Sequence, residues 1–316
     1  MDAFSTDPDM TYHFEQSAGS VEANVRKVAA SQIDKALEEI DDPELGPHKT
    51  VHQVRKRCKK LRALVRLVRN TFDVYKSENQ TFRDAAAELS YVRDAEVIVQ
   101  TYDKLVACHA DQIDPASFAT IRARLLQRKT EILNQNGLEN RLSQFRHTMG
   151  DARDRVEHWT LEEKGFKAIA DGLGKTYARA RKAMRQAEAE PTPEHLHEWR
   201  KRVKYHWYHA RLLHDLWPDV MEAHIAASDE LSELLGDYHD LAVLHDTLVA
   251  EPGAFGDPAE LSAFAGLIAS RQSDLERQAF ALGSKLLAEK GSALVKRWRA
   301  YWLGTMSEAQ QALASE

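Results

Sequence analysis

Apolar residues recur at intervals of three and four over long stretches of this chain, and nothing alternates convincingly with period two. The pattern predicts helices throughout. In the first half they run from Ser20 to Ile40, His48 to Phe72, Gln80 to Cys108 and Asp114 to Leu133. In the second they run from Leu161 to Ala189, Thr192 to Trp217, Val220 to Leu248 and Asp257 to Leu287. Three starts, Asp114-Pro115, Thr192-Pro193 and Asp257-Pro258, place a capping side chain before a proline whose fixed φ suits the first helical position.

The halves are related. Val51-His52-Gln53-Val54-Arg55-Lys56-Arg57-Cys58-Lys59 aligns position by position with Leu196-His197-Glu198-Trp199-Arg200-Lys201-Arg202-Val203-Lys204, and Arg66 falls on Arg211. Farther along, Leu89 to Asp94 falls on Leu235 to Asp240, and Arg128 falls on Arg271. Such collinear order predicts an all-α fold of two four-helix units made by internal duplication. The expected organisation is a polar N-terminal segment (1–18), a first bundle (19–135), a helical connector (136–160), a second bundle (161–305) and a polar C-terminal tail (306–316).

Within the second predicted helix, Val51, Val54, Cys58, Leu61, Val65, Val68 and Phe72 form one apolar stripe. One position later come His52, Arg55, Lys59, Arg62, Arg66 and Arg69, roughly 100° around the helix, with Lys56 and Lys60 extending the charge round the surface. The second copy places Leu196, Trp199, Val203, His206, Ala210, Leu213 and Trp217 inward, and His197, Arg200, Lys204 and Arg211 beside them, Trp207 standing where Arg62 does in the first copy. Solvated helix faces ordinarily mix signs, because like charges at i and i+4 cost about 0.2–0.5 kcal/mol per pair. Here nine Lys or Arg and no acid lie between Lys49 and Arg69. A ligand that offsets this repulsion is expected, and a row of cations one helical turn apart suits a linear, repeating anion. Lys201 joins the second copy's binding residues, as Lys56 does the first's, and Arg128, Arg271, Lys175, Arg179, Arg181 and Lys182 are possible additional candidates for the same surface.

Overall charge complicates the picture. The 316 residues carry a formal net charge of -6, which by itself repels a polyanion, so only segregation of charge permits the reading. Two cysteines, Cys58 and Cys108, cannot make a disulfide framework and suit a reducing compartment. With no signal-like segment at the acidic N-terminus and no apolar run of membrane-spanning length, a cytoplasmic protein is expected.

The paired His52-x-x-Arg55-Lys56-Arg57-x-Lys59 and His197-x-x-Arg200-Lys201-Arg202-x-Lys204 motifs resemble those of the conserved histidine α-helical domain, the CHAD family. So do Leu89-Ser90-Tyr91-Val92-Arg93-Asp94, Leu235-Gly236-Asp237-Tyr238-His239-Asp240-Leu241 and Tyr177-x-Arg179-x-Arg181-Lys182. The resemblance, over nearly the whole chain, implies one domain across 19–305. It implies two four-helix bundles related by a pseudo-two-fold axis, with basic helices lining a central channel or groove that binds inorganic polyphosphate and recruits the protein to polyphosphate granules. Some relatives carry a triphosphate-tunnel catalytic domain with a Glu-x-Glu-x-Lys signature. Here Glu188-Ala189-Glu190 is followed by Pro191 and Thr192, so that chemistry does not transfer.

Two alternatives are weighed beside polyphosphate: an RNA-binding protein, which would need aromatic stacking platforms, and a metal-dependent phosphohydrolase built on His214-Asp215, His239-Asp240 and His245-Asp246. The three dipeptides define no convergent ligand set. No catalytic residue, metal ligand, cofactor or membrane partner is therefore expected. Asp94 and Asp240 are read as partners that orient basic side chains, and His52 and His197 as groups that become cations beside a bound polyanion.

Overall fold

The computed structural model describes residues 12–15, 19–134 and 137–314. Among them are eleven α-helices and no strand: α1 (Val21–Asp41), α2 (Pro47–Leu67), α3 (Tyr75–Ala87), α4 (Ser90–Cys108), α5 (Ala119–Asn134), α6 (Leu138–Val156), α7 (Lys167–Ala189), α8 (Pro193–Leu212), α9 (Pro218–Ala250), α10 (Pro258–Leu286) and α11 (Gly291–Ala314). The fold is all-helical, as the periodicity predicts. Capping follows the sequence too: Asp114 accepts from Ala116 N (2.9 Å), Thr192 from His195 N (3.3 Å) and Asp257 from Ala259 N (2.6 Å). Asp114, however, caps a short 3₁₀ turn (Pro115–Phe118) that precedes α5.

Several boundaries differ from expectation for identifiable reasons. The helix expected from Gln80 to Cys108 is split at Glu88–Leu89, where Leu89 leaves helical geometry (φ -107°, ψ 7°) and is fully buried. The break leaves α3 on α2 and α6 while α4 packs on α5 and α9. The corresponding segment of the second half, α9, runs unbroken. Helix α2 stops at Leu67, because Thr71 turns the chain: its hydroxyl donates to Ala168 O and its carbonyl accepts from Glu162 N. Gly165, at φ +54°, a conformation that favours glycine, holds off the start of α7. Trp217, expected inward, instead lies at the turn into α9 with 49% of its surface exposed, edge-on to Tyr301. Helix α11 continues to Ala314, through residues read from sequence as a polar tail. Of the N-terminal segment 1–18, only residues 12–15 are described.

The apolar stripe of α2 is buried at every position from Val51 to Phe72, and one continuous cluster joins both halves. Basic helix meets basic helix where α2 packs on α7 and α8, whereas α4 packs on α9, which carries no Lys or Arg. Gly172 permits the α2–α7 crossing, since a Cβ there would fall 1.8 Å from Leu67 O. At the α2–α8 crossing, His209 donates from Nε2 to Ala63 O (2.9 Å). No helix among the described residues is long and apolar enough to cross a membrane.

Candidate anion-binding site

Crossing α2 over α8 brings the first turns of the two basic stripes together. Lys59 of α2 lies among Arg55 of its own helix, Arg200 and Lys204 of α8, and Arg93 of α4. Its side chain is reached by solvent yet lies among cations of α2, α4 and α8, and the space between these three helices is the cleft. That enclosure first, and then Arg200, Arg55, Lys204 and Arg93, push the Lys59 ammonium down to about 7. His52 is driven down to about 4 by burial and then by Arg93, Lys59, Lys56 and Arg55. His197, whose ring lies 3.9 Å from that of His239, is likewise held at about 4, by burial and then by Lys201 and Arg200. The imidazoles are therefore neutral donors or acceptors at neutral pH.

Among the described residues, Arg55, Lys59, Arg93 and Arg200 have no carboxylate within ion-pair distance (4.0 Å). Their contacts are weaker. Arg55 donates to the Ala86 carbonyl, Arg93 reaches Gln100 (3.4 Å), and the Arg200 guanidinium slots against Gly236, where a Cβ would come within 3.2 Å of its Nε. Arg200 Nε is buried with no acceptor. The cleft is acid-poor but not acid-free. Asp94 feels Arg55, Lys59 and Arg93, and Asp240 feels Arg200 and Arg93, yet burial raises both carboxyls and neither forms an ion pair. Lys204 does: it lies 3.4 Å from Asp229 and over the Trp207 ring (3.9 Å).

The remaining sequence candidates separate. Arg62 and Arg66 lie at the other end of the α2 stripe, over the Tyr205 ring at 6.0 and 4.4 Å. Arg211 packs on Trp207 (5.0 Å) and Tyr12 (5.7 Å). Lys201 pairs with Glu198 at 2.6 Å. Lys56 is partly exposed, but Lys60, expected on the surface, is fully buried, with its ammonium 5.3 Å from the Tyr12 ring centre. Arg128 pairs with Glu251 (3.4 Å), and Arg181 donates to Leu287 O (3.1 Å) and Ala288 O (3.3 Å) beyond the end of α10. Arg271 is partly exposed on α10, while Lys175, Arg179 and Lys182 are exposed on α7. Arg93 and His239 are the residues that sequence reasoning left out of the site. Both sit inside motifs it had singled out, so the signal was present, but Asp94 and Asp240 beside them masked it.

The His-Asp dipeptides do not converge. His214 contacts its own neighbour Asp215 at 2.8 Å, His245 lies 3.5 Å from Asp246, and His239 lies against His197 with the rings tilted by 37°. Among the described residues no three His, Cys, Asp or Glu side chains are grouped as metal ligands. His206 is core: it contacts His224 Nε2 at 2.8 Å and packs against Tyr177 and Trp298.

No curated protein matches this chain. Among solved structures, the crystal structure of the CHAD domain from the plant Ricinus communis is similar over 92% of this chain and 92% of its own, at 15% identity and a TM-score of 0.47. The CHAD domain model matches residues 27–249, from within α1 nearly to the end of α9, and the chain belongs to that family.

Proposed function

We propose that this chain binds inorganic polyphosphate in the cleft between α2, α4 and α8, without chemistry on the ligand, and that binding recruits it to polyphosphate granules. The family is associated in general with polyphosphate binding. The observation that carries the reading for this chain is the group Arg55, Lys59, Arg93 and Arg200: four cations from three helices, in a cleft solvent reaches, with no carboxylate paired to any of them. A phosphate chain supplies a negative charge at every repeat and relieves that repulsion along its length. Arginine contributes a planar fork that can hold two phosphoryl oxygens at once.

RNA offers similar charge but also asks for rings on which bases stack. Trp199 and Tyr208 are buried, and the faces of Tyr205 and Trp207 are already taken by Arg66 and Lys204. Competition tests the choice directly. Long-chain polyphosphate should displace a labelled single-stranded RNA at far lower phosphate concentration than unlabelled RNA does. Displacement in the reverse order would reject the proposal.

A further inference from the structure

The α2 stripe does not end at the cleft. Past Lys59, on either side of Ala63 where α8 crosses, Arg62 and Arg66 lie over Tyr205, and neither has a carboxylate within ion-pair distance or a hydrogen-bond acceptor among the described residues. Arg66 is partly exposed, and its guanidinium is held by the ring, 4.4 Å from the ring centre. The Nε atoms of Arg62 and Arg66 are buried without an acceptor. Arg179 on α7, exposed and likewise without an ion pair, lies within electrostatic reach of Arg69, as does Arg66. Arg69 itself is committed to the fold: it donates to Gly172 O (2.9 Å) and to the Thr176 hydroxyl, tying α2 to α7 and setting the spacing of the patch. Asp84, which feels Arg62, is ion-paired with Arg83 (2.7 Å) instead.

We infer that Arg62, Arg66 and Arg179, with Tyr205 as their support, form a second phosphate-binding patch that is engaged in full only by chains long enough to extend beyond the cleft. The inference rests on the polyphosphate reading and adds discrimination by chain length. Arg55 and Arg66 are eleven residues apart on one helix, a rise of about 16 Å. Tripolyphosphate cannot touch both, whereas a long chain can. Occupying the whole second patch without a second loss of translational freedom then adds affinity for the long ligand alone.

Titrating wild type and a variant carrying Arg62→Gln, Arg66→Gln and Arg179→Gln with tripolyphosphate and with long-chain polyphosphate tests this. The expected result is about a tenfold loss for the long chain, as three modest ion contacts would give, and a distinctly smaller loss for tripolyphosphate, which can reach Arg62 from Lys59 one turn away but cannot span from Arg55 to Arg66. Arg179→Glu alone, on an exposed position that leaves the core untouched, should weaken long-chain binding in the same direction. Unchanged long-chain affinity in both variants, or equal losses for both ligands, would overturn the second patch. If the wild type binds neither ligand, the cleft reading itself fails, a different outcome from failure of the patch.

Discussion

Lys59 shows how a single side chain can serve the ligand at the expense of the empty fold. Its ammonium, pushed to about 7 by enclosure and four neighbouring cations, is far below the ordinary lysine value. Between those values the unfolded chain binds a proton that the fold does not, so the empty protein gains stability as pH rises through that window. Polyphosphate reverses the balance, because a bound anion draws the proton back. Affinity is therefore expected to fall as pH rises through about 7, and Lys59→Met should flatten that profile. The same substitution should weaken polyphosphate binding while raising the unfolding free energy of the ligand-free protein by about 0.5–2 kcal/mol, the usual gain when a costly functional group is removed. Denaturant melts with and without ligand would show both effects. A variant that is less stable when empty and binds normally would make Lys59 a structural residue. Gly236 is the companion case. Because a Cβ there would already crowd Arg200 Nε at 3.2 Å, Gly236→Val should displace the guanidinium and cost about fivefold in affinity, ~1 kcal/mol, by titration.

At the scale of helices, the crossing of α2 and α7 at Gly172 is the tightest constraint. A methyl 1.8 Å from Leu67 O meets backbone, which cannot swing aside, so Gly172→Ala should destabilise the protein by about 1–3 kcal/mol in chemical denaturation. Buried histidines set the acid limit of the same assembly. Burial pushes His206 well below its ordinary value, His209 to about 3 and His224 to about 4. Below the ordinary histidine range the unfolded chain takes up protons that these sites refuse, so stability should fall as pH drops from about 6.5 toward 4. His224→Gln should lessen that slope in melts taken across the range. Much of this layer was legible in the chain, since the three-and-four spacing of Val51 to Phe72 follows from helical geometry alone and is buried throughout. What could not be read were features set by partners distant in sequence. The break at Leu89 goes with its burial in the core that joins both halves, the pairing of Lys204 depends on Asp229, and the burial of Lys60 depends on Tyr12. Lys59 and Lys60 are adjacent and chemically identical, and only tertiary packing sends one into the cleft and the other into the core.

For the whole molecule, a net charge of -6 and a polyanion ligand are reconciled by segregation: carboxylates pair with outlying cations, as Asp41 does with Arg146 (2.7 Å) and Asp103 with Arg122 (2.7 Å), while the cleft group stays unpaired. The duplicated motif is what allows this. Each half supplies cations from its own basic helix, and the meeting of α2 with α8 concentrates them where a single bundle would have spread them over a solvated face. Binding should then be electrostatic, many-contact and steeply dependent on salt, by analogy with counterion release from nucleic acids. The central claim is tested most directly by titrating long-chain polyphosphate against wild type and a variant with Arg55, Lys59, Arg200 and Lys204 all changed to Gln, over a range of salt. Much weaker binding and a log–log salt slope shallower by about 3, the value for four lost contacts to a single-stranded polyanion, is the predicted result. A folded variant with the affinity and salt slope of the wild type would contradict it.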